Sequence, residues 1–278
     1  MPRYAAALVL ASLLGLGGRA APAAESVASD YFAAYPHLRM TRDDGILVVE
    51  MHNDGKPLTF TAADHTAFVD AFYAIGRDRA NKVVILTGAG GDWMPAIDFG
   101  SFGRVDDPNV WAQVRDEGVQ LLENLANIRV PVICAVEGRA WVHTEYCLLA
   151  NYIVAGQDAS FRDLPHILGG IVPGDGIYTV WSYFAGPGRA QRFLLEPQPI
   201  PARLAQSWGV VSEIVTNGTA LARARELARS WLGKPELTLR NTRIHFIQPL
   251  KERIVREVGY GLQLEGESAD ALIHRALD

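Results

Sequence analysis

The stretch Cys134-Ala-Val-Glu-Gly-Arg-Ala-Trp-Val-His143-Thr-Glu145-Tyr146 joins an apolar run to a helix through a short loop that begins at Gly138. The residues before the glycine are apolar on both faces, as in a strand that is covered from both sides. Where a helix starts, its first backbone N–H groups have no partner within it. The stretch therefore predicts a strand–loop–helix unit with a place at the loop where an oxyanion is bound.

Two other segments carry residues that suit the same chemistry. Asp92 to Gly100 follows the turn Gly88-Ala-Gly-Gly91 at the end of another strand and offers a second group of N–H donors. Leu164 to Gly176 contains His166 and Asp175, nine residues apart, on either side of a turn rich in Gly and Pro. We expect this turn to fold the carboxylate back onto the imidazole.

Short apolar runs alternate with longer amphipathic ones over most of the chain. This alternation is typical of α/β folds, and no repeat or linker divides the chain, so we expect one domain. The apolar runs predict strands and the helical spacing predicts helices. The strands are predicted at Ile46–His52, Lys82–Thr87, Val130–Val136 and Tyr152–Ala155, and the helices at Ala62–Ile75, Val110–Ile128, Ala220–Leu232 and Pro235–Leu272.

The composition excludes several classes of protein. Among 278 residues there are 26 Lys and Arg against 31 Asp and Glu, and no basic run is interleaved with aromatics, which argues against nucleic-acid binding. The hydrophobic content of 49% is that of a globular protein, and no apolar run reaches the roughly 18 residues of a membrane span. Cys134 and Cys147 lie in apolar segments without metal-ligand spacing, so we interpret them as buried thiols and predict no metal or cofactor.

The two ends of the sequence differ from its middle. Residues 1–23 have a charged start, an apolar centre and a small-residue end, which is the pattern of a secretory signal peptide. Its cleavage predicts export to the periplasm, and without it the protein is cytoplasmic. We expect the core over residues 30–215 and a helical cap over residues 216–278.

These segments, in this order, resemble the crotonase (enoyl-CoA hydratase/isomerase) superfamily from about residue 38 to the C-terminus. The resemblance implies a spiral of ββα turns, a helical C-terminal region that assembles homotrimers or homohexamers, and an oxyanion hole formed by the backbone amides of Ile97 and Val142. Its landmarks are Lys82-Val-Val-Ile-Leu-Thr-Gly88, Val132-Ile-Cys-Ala-Val-Glu-Gly138, Gly169-Gly-Ile-Val-Pro-Gly174 and Ala202-Arg-Leu-Ala-Gln-Ser-Trp-Gly-Val-Val211.

Three departures from the hydratase pattern indicate a different reaction. Trp141-Val142-His143 stands where hydratases have Gly-Gly-Gly, His166 stands where they have a catalytic Glu, and Asp175 replaces a small residue. A His and an Asp at these two positions resemble the 6-oxocamphor hydrolase group, the β-diketone hydrolases of the superfamily. That resemblance implies hydrolysis of a cyclic β-diketone by a retro-Claisen reaction, with Glu265 as an acidic residue of the pocket.

The chemistry of that reaction gives each residue a role. Water needs a general base, which a neutral imidazole supplies when a carboxylate fixes its tautomer, so we assign His166 as the base and Asp175 as its orienting carboxylate. The oxyanion and the enolate need a donor, for which we assign His143. Glu265 orients water, holds a proton for the enolate carbon or shapes the pocket. Glu145 is a reserve candidate, because it also fits a helix-dipole partner.

Each assignment has a structural alternative. Asp175 fits an N-cap of the following helix, His143 fits a structural His bonded to a backbone carbonyl, and Glu265 fits a solvated helix charge. Other functions that fit are an enoyl-CoA hydratase, an isomerase, an acyl-CoA hydrolase, and an inactive scaffold that binds a partner. Four aromatic residues fit either the walls of the pocket or the core: Phe60, Trp93, Phe99 and Trp141. The five remaining His are interpreted as surface or core residues: His37, His52, His65, His245 and His274.

Overall fold

The computed structural model describes residues 29–196 and 198–275 of the chain. Residues 1–23, the predicted signal peptide, lie outside this part, and export stays a prediction. The strands are β1 (Leu38–Asp43), β2 (Ile46–Met51), β3 (Thr59–Phe60), β4 (Val83–Gly88), β5 (Ala96–Ile97), β6 (Val132–Val136), β7 (Arg139–Ala140), β8 (Tyr152–Gly156), β9 (Ser160–Phe161), β10 (Ile200–Pro201) and β11 (Glu213–Val215). The α-helices are α1 (Ala62–Arg77), α2 (Pro108–Ala126), α3 (Thr144–Leu148), α4 (Ile177–Ala185), α5 (Pro187–Leu195), α6 (Ala202–Ser207), α7 (Ala220–Leu232) and α8 (Glu236–Arg275).

A six-stranded sheet in the order β1-β2-β4-β6-β8-β11 forms the centre of the fold. β1 runs antiparallel to β2, and the other neighbouring strands are parallel. The four strands predicted from apolar runs are β2, β4, β6 and β8, so that prediction is confirmed. β4, β6 and β8 are buried on almost every residue, as strands covered on both faces are.

Short strands form a second layer beside the central sheet. β3 pairs with β5, β7 pairs with β9, and β9 pairs with β10. In the first three turns of the chain, a central strand leads into a short strand and then into a helix: β2, β3 and α1; β4, β5 and α2; β6, β7 and α3. This ββα spiral with a helical C-terminal region confirms the predicted fold class. The predicted boundaries at residues 30, 215 and 216 stay a prediction.

Helices cover both faces of the central sheet. Alternate residues of each strand point to opposite faces and pack against different helices. Along β4, Val84 and Leu86 face the larger core cluster with α1 and α2, whereas Val83 and Ile85 face a smaller cluster. The smaller cluster is closed by the alanines of α7, which permit close approach of that helix. Each Val or Leu buried in this way contributes about 1.5–3 kcal/mol through the hydrophobic effect.

Local signals in the sequence fix where the two long helices of the core begin. Thr61 accepts a hydrogen bond from the Asp64 amide, and the Asp64 carboxylate accepts one from the Thr61 amide, which is a capping box for α1. Asp107 accepts the Asn109 amide at the start of α2, where Pro108 occupies the first turn. Both helices therefore begin close to the predicted residues.

The long C-terminal helix α8 lies across α2 and α4 and contains Pro249. Large apolar side chains remain exposed along it, with Leu237 at 68%, Phe246 at 63% and Tyr260 at 70%. Among the described residues, no helix is long and apolar enough to span a membrane. The C-terminal region is thus helical, as predicted, and consists of the two helices α7 and α8.

The two cysteines contradict the sequence-based interpretation as free thiols. Cys134 in β6 and Cys147 in α3 form a disulfide, with Cα atoms 5.4 Å apart. The spacing of thirteen residues carried no signal, because the pair is formed only when the loop between them folds α3 back onto the strand. The disulfide therefore links the buried strand β6 to α3, the helix that follows the loop containing His143.

We expect the disulfide to stabilise the fold mainly by restricting the unfolded chain. Closing a loop of this length is worth about 3 kcal/mol, so reductant should lower the free energy of unfolding in denaturant by about that amount. In the double variant Cys134→Ala/Cys147→Ala, reductant should have no effect. An equal stability of the wild type with and without reductant would contradict the bond.

Candidate active site

A cavity of about 450 Å³ lies between the 3-10 helix Phe99–Phe102, the start of α2, the segment that carries His166 and the last third of α8. Most of its wall is apolar, including Ile97, Val105 and Leu262. Five ionisable side chains line it, and among the described residues of its wall there is no Lys or Arg. They are His65, His143, His166, Asp175 and Glu265.

His166 is held between carboxylates on both of its ring nitrogens. Its Nδ1 lies 2.7 Å from Asp163 Oδ1, which is a hydrogen bond. Its Nε2 lies 3.5 Å from Asp175 Oδ2 and 3.8 Å from Glu265 Oε2. The structure thus brings His166, Asp175 and Glu265 together as predicted. It corrects the geometry of the predicted dyad, because the carboxylate bonded to His166 is that of Asp163.

His143 lies on the other side of Asp175. Its Nδ1 is 2.7 Å from Glu145 Oε1 and 3.4 Å from Asp175 Oδ2. The ring stacks on Tyr146 with centroids 4.5 Å apart and meets Phe60 edge-on. The backbone of His143 is left-handed, with φ of 46°, a conformation that non-glycine residues seldom adopt.

From the sequence, Asp175 fits either a partner of His166 or a cap of the following helix, and its two oxygens take part in both contacts. Its Oδ1 accepts the Ile177 amide at the start of α4, which satisfies a helix N–H group. Its Oδ2 lies between His143 Nδ1 and His166 Nε2. One carboxylate therefore anchors the helix and stands between the two imidazole rings.

The charges in this cluster shift the pKa values of the rings and of Asp175. Burial alone would lower the pKa of His143, but Glu145 and Asp175 outweigh it and raise this pKa to about 9. Burial alone would also lower the pKa of His166, but the charges of Asp175 and Asp163 outweigh it and raise this pKa well above its usual value. For Asp175, burial is outweighed by His166 and His143, which hold its pKa below its usual value.

The pKa values of the two glutamates are raised, in contrast to that of Asp175. Burial, assisted by the charge of Asp175, raises the pKa of Glu145 to about 7. Burial also raises the pKa of Glu265 to about 8, with His166 opposing the shift and Asp175 adding to it. Protonated imidazoles and neutral glutamates are therefore favoured together, so that few uncompensated charges are buried.

Two glycines bring the Asp175 loop against α8. A Cβ atom placed on Gly261 would lie 2.4 Å from the Gly174 carbonyl oxygen, and one placed on Gly174 would lie 2.1 Å from the Gly261 oxygen. The two backbones thus touch without side chains between them. Asp175 and Glu265 follow these glycines by one and four residues, and the contact sets their separation.

The first predicted oxyanion loop is folded differently from the expectation. The amide of Val142 donates to the Met94 carbonyl at 3.0 Å, so the prediction that this amide is free for an oxyanion is not met. The amide of the next residue, His143, has no hydrogen-bond acceptor among the described residues. Ile97, the other predicted amide donor, lies in β5 and its side chain lines the cavity.

Of the four aromatic residues predicted as possible pocket walls, Phe99 lines the cavity. Phe60 is fully buried behind His143, with ring centroids 4.4 Å apart. Trp93 is fully buried in the core. Trp141 packs beside two arginine guanidinium groups and donates its indole N–H to a serine hydroxyl. None of these three lines the cavity, so Phe60 and Trp93 are core residues, whereas Trp141 is half-buried and belongs to neither the cavity wall nor the core.

His65 was interpreted as a surface or core residue, but it also lines the cavity. Its Nδ1 lies 2.9 Å from Glu117 Oε2, and Glu117 is held in turn by Thr66 and Gln113. A His and a Glu on neighbouring helices, 52 residues apart, give no local sequence signal. Asp163 was missed as well, although the spacing Asp-Leu-Pro-His is short enough to have indicated it.

Three donor atoms of the cluster are close enough to hold a metal ion. His143, Glu145 and Asp175 each place one within 4.8 Å of the others. His143 Nδ1 and Glu145 Oε1 are 2.7 Å apart and form a hydrogen bond with each other. A metal ion there would have to displace the proton of that bond.

The chain matches the family model described as enoyl-CoA hydratase/isomerase over residues 41–269. It belongs to that family, the crotonase family of enzymes, as its sequence predicted. It is 28% identical over 229 residues to a probable peroxisomal enoyl-CoA hydratase of Arabidopsis thaliana, covering 82% of this chain and 83% of that protein. It is 31% identical over 194 residues to a carnitinyl-CoA dehydratase of Salmonella arizonae, covering 69% and 73% respectively.

Solved structures include a neighbour with a different activity. A β-diketone hydrolase from the cyanobacterium Anabaena, bound to (S)-3-oxocyclohexyl acetic acid, is 44% identical, with a TM-score of 0.86 over 88% of this chain and 99% of that one. An enoyl-CoA hydratase/isomerase from Mycobacterium paratuberculosis is 20% identical, with a TM-score of 0.77 over 84% of this chain and 94% of that one, and shares the fold.

We expect Gly261→Ala to push the Asp175 loop away from α8, because the added methyl group collides with the Gly174 carbonyl. Overpacking of this kind costs about 1–3 kcal/mol of unfolding free energy, which denaturant titration measures. Gly259→Ala is the matched control, since its new Cβ would meet nothing closer than Val119 Cγ2 at 3.9 Å. Equal stability of the two variants would contradict the close contact.

We expect Asp175→Asn to lower the pKa values of both His143 and His166, because it removes the negative charge that raises them. NMR titration of the imidazole resonances measures both values without any assay of activity. Glu267→Gln is the control, since it removes an exposed charge two residues from Glu265. An unchanged pKa of His166 in Asp175→Asn would show that the carboxylate does not act on that ring.

Proposed function

We propose that the protein is a hydrolase that cleaves the carbon–carbon bond of a cyclic β-diketone by a retro-Claisen reaction. The observation that carries the proposal is the juxtaposition of His166, Asp175, His143 and Glu265 at an apolar cavity. Similarity to the β-diketone hydrolase of Anabaena supports it, since that protein binds a keto acid.

The bound acid of that neighbour indicates a class of substrate. Joining the acid carbon of 3-oxocyclohexyl acetic acid to the ring carbon on the far side of the ketone, with loss of water, gives a bicyclic β-diketone. The addition of water to this diketone and cleavage of the same bond returns the keto acid. A compact bicyclic compound of this kind fits a cavity of about 450 Å³ with an apolar wall.

The proposed reaction begins with attack of water on one carbonyl. The raised pKa of His166 makes its neutral form the less populated one near pH 7, and it is this form that acts as the base. Its Nε2 takes a proton from water while the oxygen bonds to the carbonyl carbon, and the imidazolium that forms lies 3.5 Å from Asp175. The carbonyl oxygen becomes negatively charged. His143 is cationic near neutral pH, because its pKa is raised to about 9, and it suits stabilisation of that charge.

The second step breaks the carbon–carbon bond. The tetrahedral intermediate collapses to the carboxylic acid, and the bonding electron pair leaves with the other carbonyl as an enolate. Glu265 is neutral near pH 7, because its pKa is raised to about 8, and it supplies a proton to the enolate carbon. Its Oε2 lies 3.8 Å from His166 Nε2, so the proton taken from water is close to the carboxylate that needs one.

An enoyl-CoA hydratase is the second candidate, favoured by the names of the sequence relatives. Two observations support the diketone hydrolase over it. The cavity wall carries no Lys or Arg among its described residues to bind nucleotide phosphates. Glu145, at a position where many hydratases keep an acid, is fully buried against His143.

Assembly into homotrimers or homohexamers belongs to the same proposal. The large apolar side chains exposed along α8 support it, because an interface between subunits would bury them. Export also stays a proposal. The disulfide of Cys134 and Cys147 supports it, since such bonds persist mainly in oxidising compartments.

The purified protein should hydrolyse the bicyclic diketone described above and leave crotonyl-CoA unchanged. Loss of each substrate is followed separately by chromatography. His166→Ala should lower kcat/KM by about 10²–10⁴-fold, the usual contribution of a positioned general base. His245→Ala, which changes an exposed imidazole on α8, is the control and should retain activity. Turnover of crotonyl-CoA alone would reverse the ranking of the two functions.

A further inference from the structure

Asp163 makes the shortest contact to His166. Its Oδ1 lies 2.7 Å from Nδ1, which is within the range of a charge-assisted hydrogen bond. The contact from Nε2 to Asp175 is 3.5 Å, which is longer than an N–H···O bond usually is. The side chain of Asp163 is almost fully buried and does not line the cavity. Of these two carboxylates, only Asp175 therefore meets the substrate space.

The two ring nitrogens of His166 face different surroundings. Nε2 lies near Asp175 and Glu265, both of which line the cavity, whereas Nδ1 points to Asp163. A base acting on water in the cavity must carry its lone pair on Nε2, so its neutral form must keep the proton on Nδ1. A carboxylate bonded to Nδ1 favours that tautomer, and one near Nε2 does not.

The backbone around Asp163 is fixed on both sides. The Arg162 amide donates to the Ala140 carbonyl and the Leu164 amide donates to the Trp141 carbonyl, both at 2.9 Å. The carbonyl of His166 in turn accepts the Ile171 amide at 3.0 Å. The carboxylate thus has little freedom to leave the imidazole. Its second oxygen, Oδ2, has no hydrogen-bond partner among the described residues. The imidazole of His166 is therefore the one hydrogen-bond partner that this carboxylate has among them.

We infer that Asp163 is the positioning residue of His166, holding its neutral form in the tautomer with hydrogen on Nδ1. This inference rests on the proposed function and assigns Asp175 a different part from the predicted one. Asp175 faces the cavity between two rings, where it stabilises the imidazolium formed when His166 takes a proton from water.

The charges around His166 are consistent with these separate roles of Asp163 and Asp175. The charged groups that face His166 are Asp163 on its own segment, Asp175 at the start of α4 and Glu265 on α8, with His143 beyond Asp175. Burial opposes protonation of His166, and Asp175 and Asp163 together raise its pKa well above the usual value. Removing either carboxylate lowers this pKa, so the pKa alone does not distinguish their roles, whereas the tautomer does.

The decisive measurement is the tautomer of neutral His166, read from the ¹⁵N chemical shifts of its two ring nitrogens in the full chain at alkaline pH. We expect hydrogen on Nδ1 in the wild type and in Asp175→Asn, and loss of this preference in Asp163→Asn. A wild-type ring with its hydrogen on Nε2 would overturn the inference. This reading needs no substrate and remains available if Asp163→Asn does not fold.

Kinetics on the bicyclic diketone gives the second readout. Asp163→Asn should lower kcat by about 10²–10⁴-fold with KM within about threefold of the wild type, because the group acts through His166 and not on the substrate. Asp116→Asn, an exposed carboxylate on α2, is the control. A kcat of Asp163→Asn within about threefold of the wild type would overturn the inference. If the wild type hydrolyses no diketone, the proposed function fails, while the tautomer still decides the role of Asp163.

Discussion

The carboxylate of Asp175, half-buried between two imidazole rings, is the constraint on which the site depends. An ionised carboxylate away from water is costly unless cations and hydrogen-bond donors surround it. Here the rings of His143 and His166 supply the charge and the Ile177 amide supplies a donor. Three separate elements must therefore meet at one point: the loop before α3, the segment before α4 and the start of α4 itself.

The remaining features of the site follow from holding that point in place. The contact between Gly174 and Gly261 brings α8 and Glu265 to the carboxylate, and the disulfide of Cys134 and Cys147 ties α3 to the sheet. Because each imidazole also has a carboxylate of its own, Glu145 or Asp163, the cluster alternates acids and bases. In such an arrangement the pKa of each group depends on the charge of its neighbours, so the groups titrate as a coupled set.

The sequence predicted the parts of the fold that have a long or periodic signal. The buried strands β4, β6 and β8 and the helix α7 are where apolar runs and helical spacing placed them. Strands of two residues, such as β3 and β7, are too short to show any period, so the second layer came only from the family resemblance. His166, Asp175 and Glu265 were found together because a motif marks each of them. Contacts between distant segments have no such mark, which is why the His65–Glu117 pair, the disulfide and the Met94 contact of the Val142 amide were missed.

The left-handed backbone of His143 has a consequence for what this site costs the fold. Glycine adopts a left-handed backbone without strain, whereas a residue with a side chain does so at a cost. His143 adopts it nonetheless, and its imidazole meets Glu145 and Asp175 there. Main-chain strain at this loop is thus the cost of holding an imidazole against two acids, and a change to glycine would relieve the strain while removing the ring.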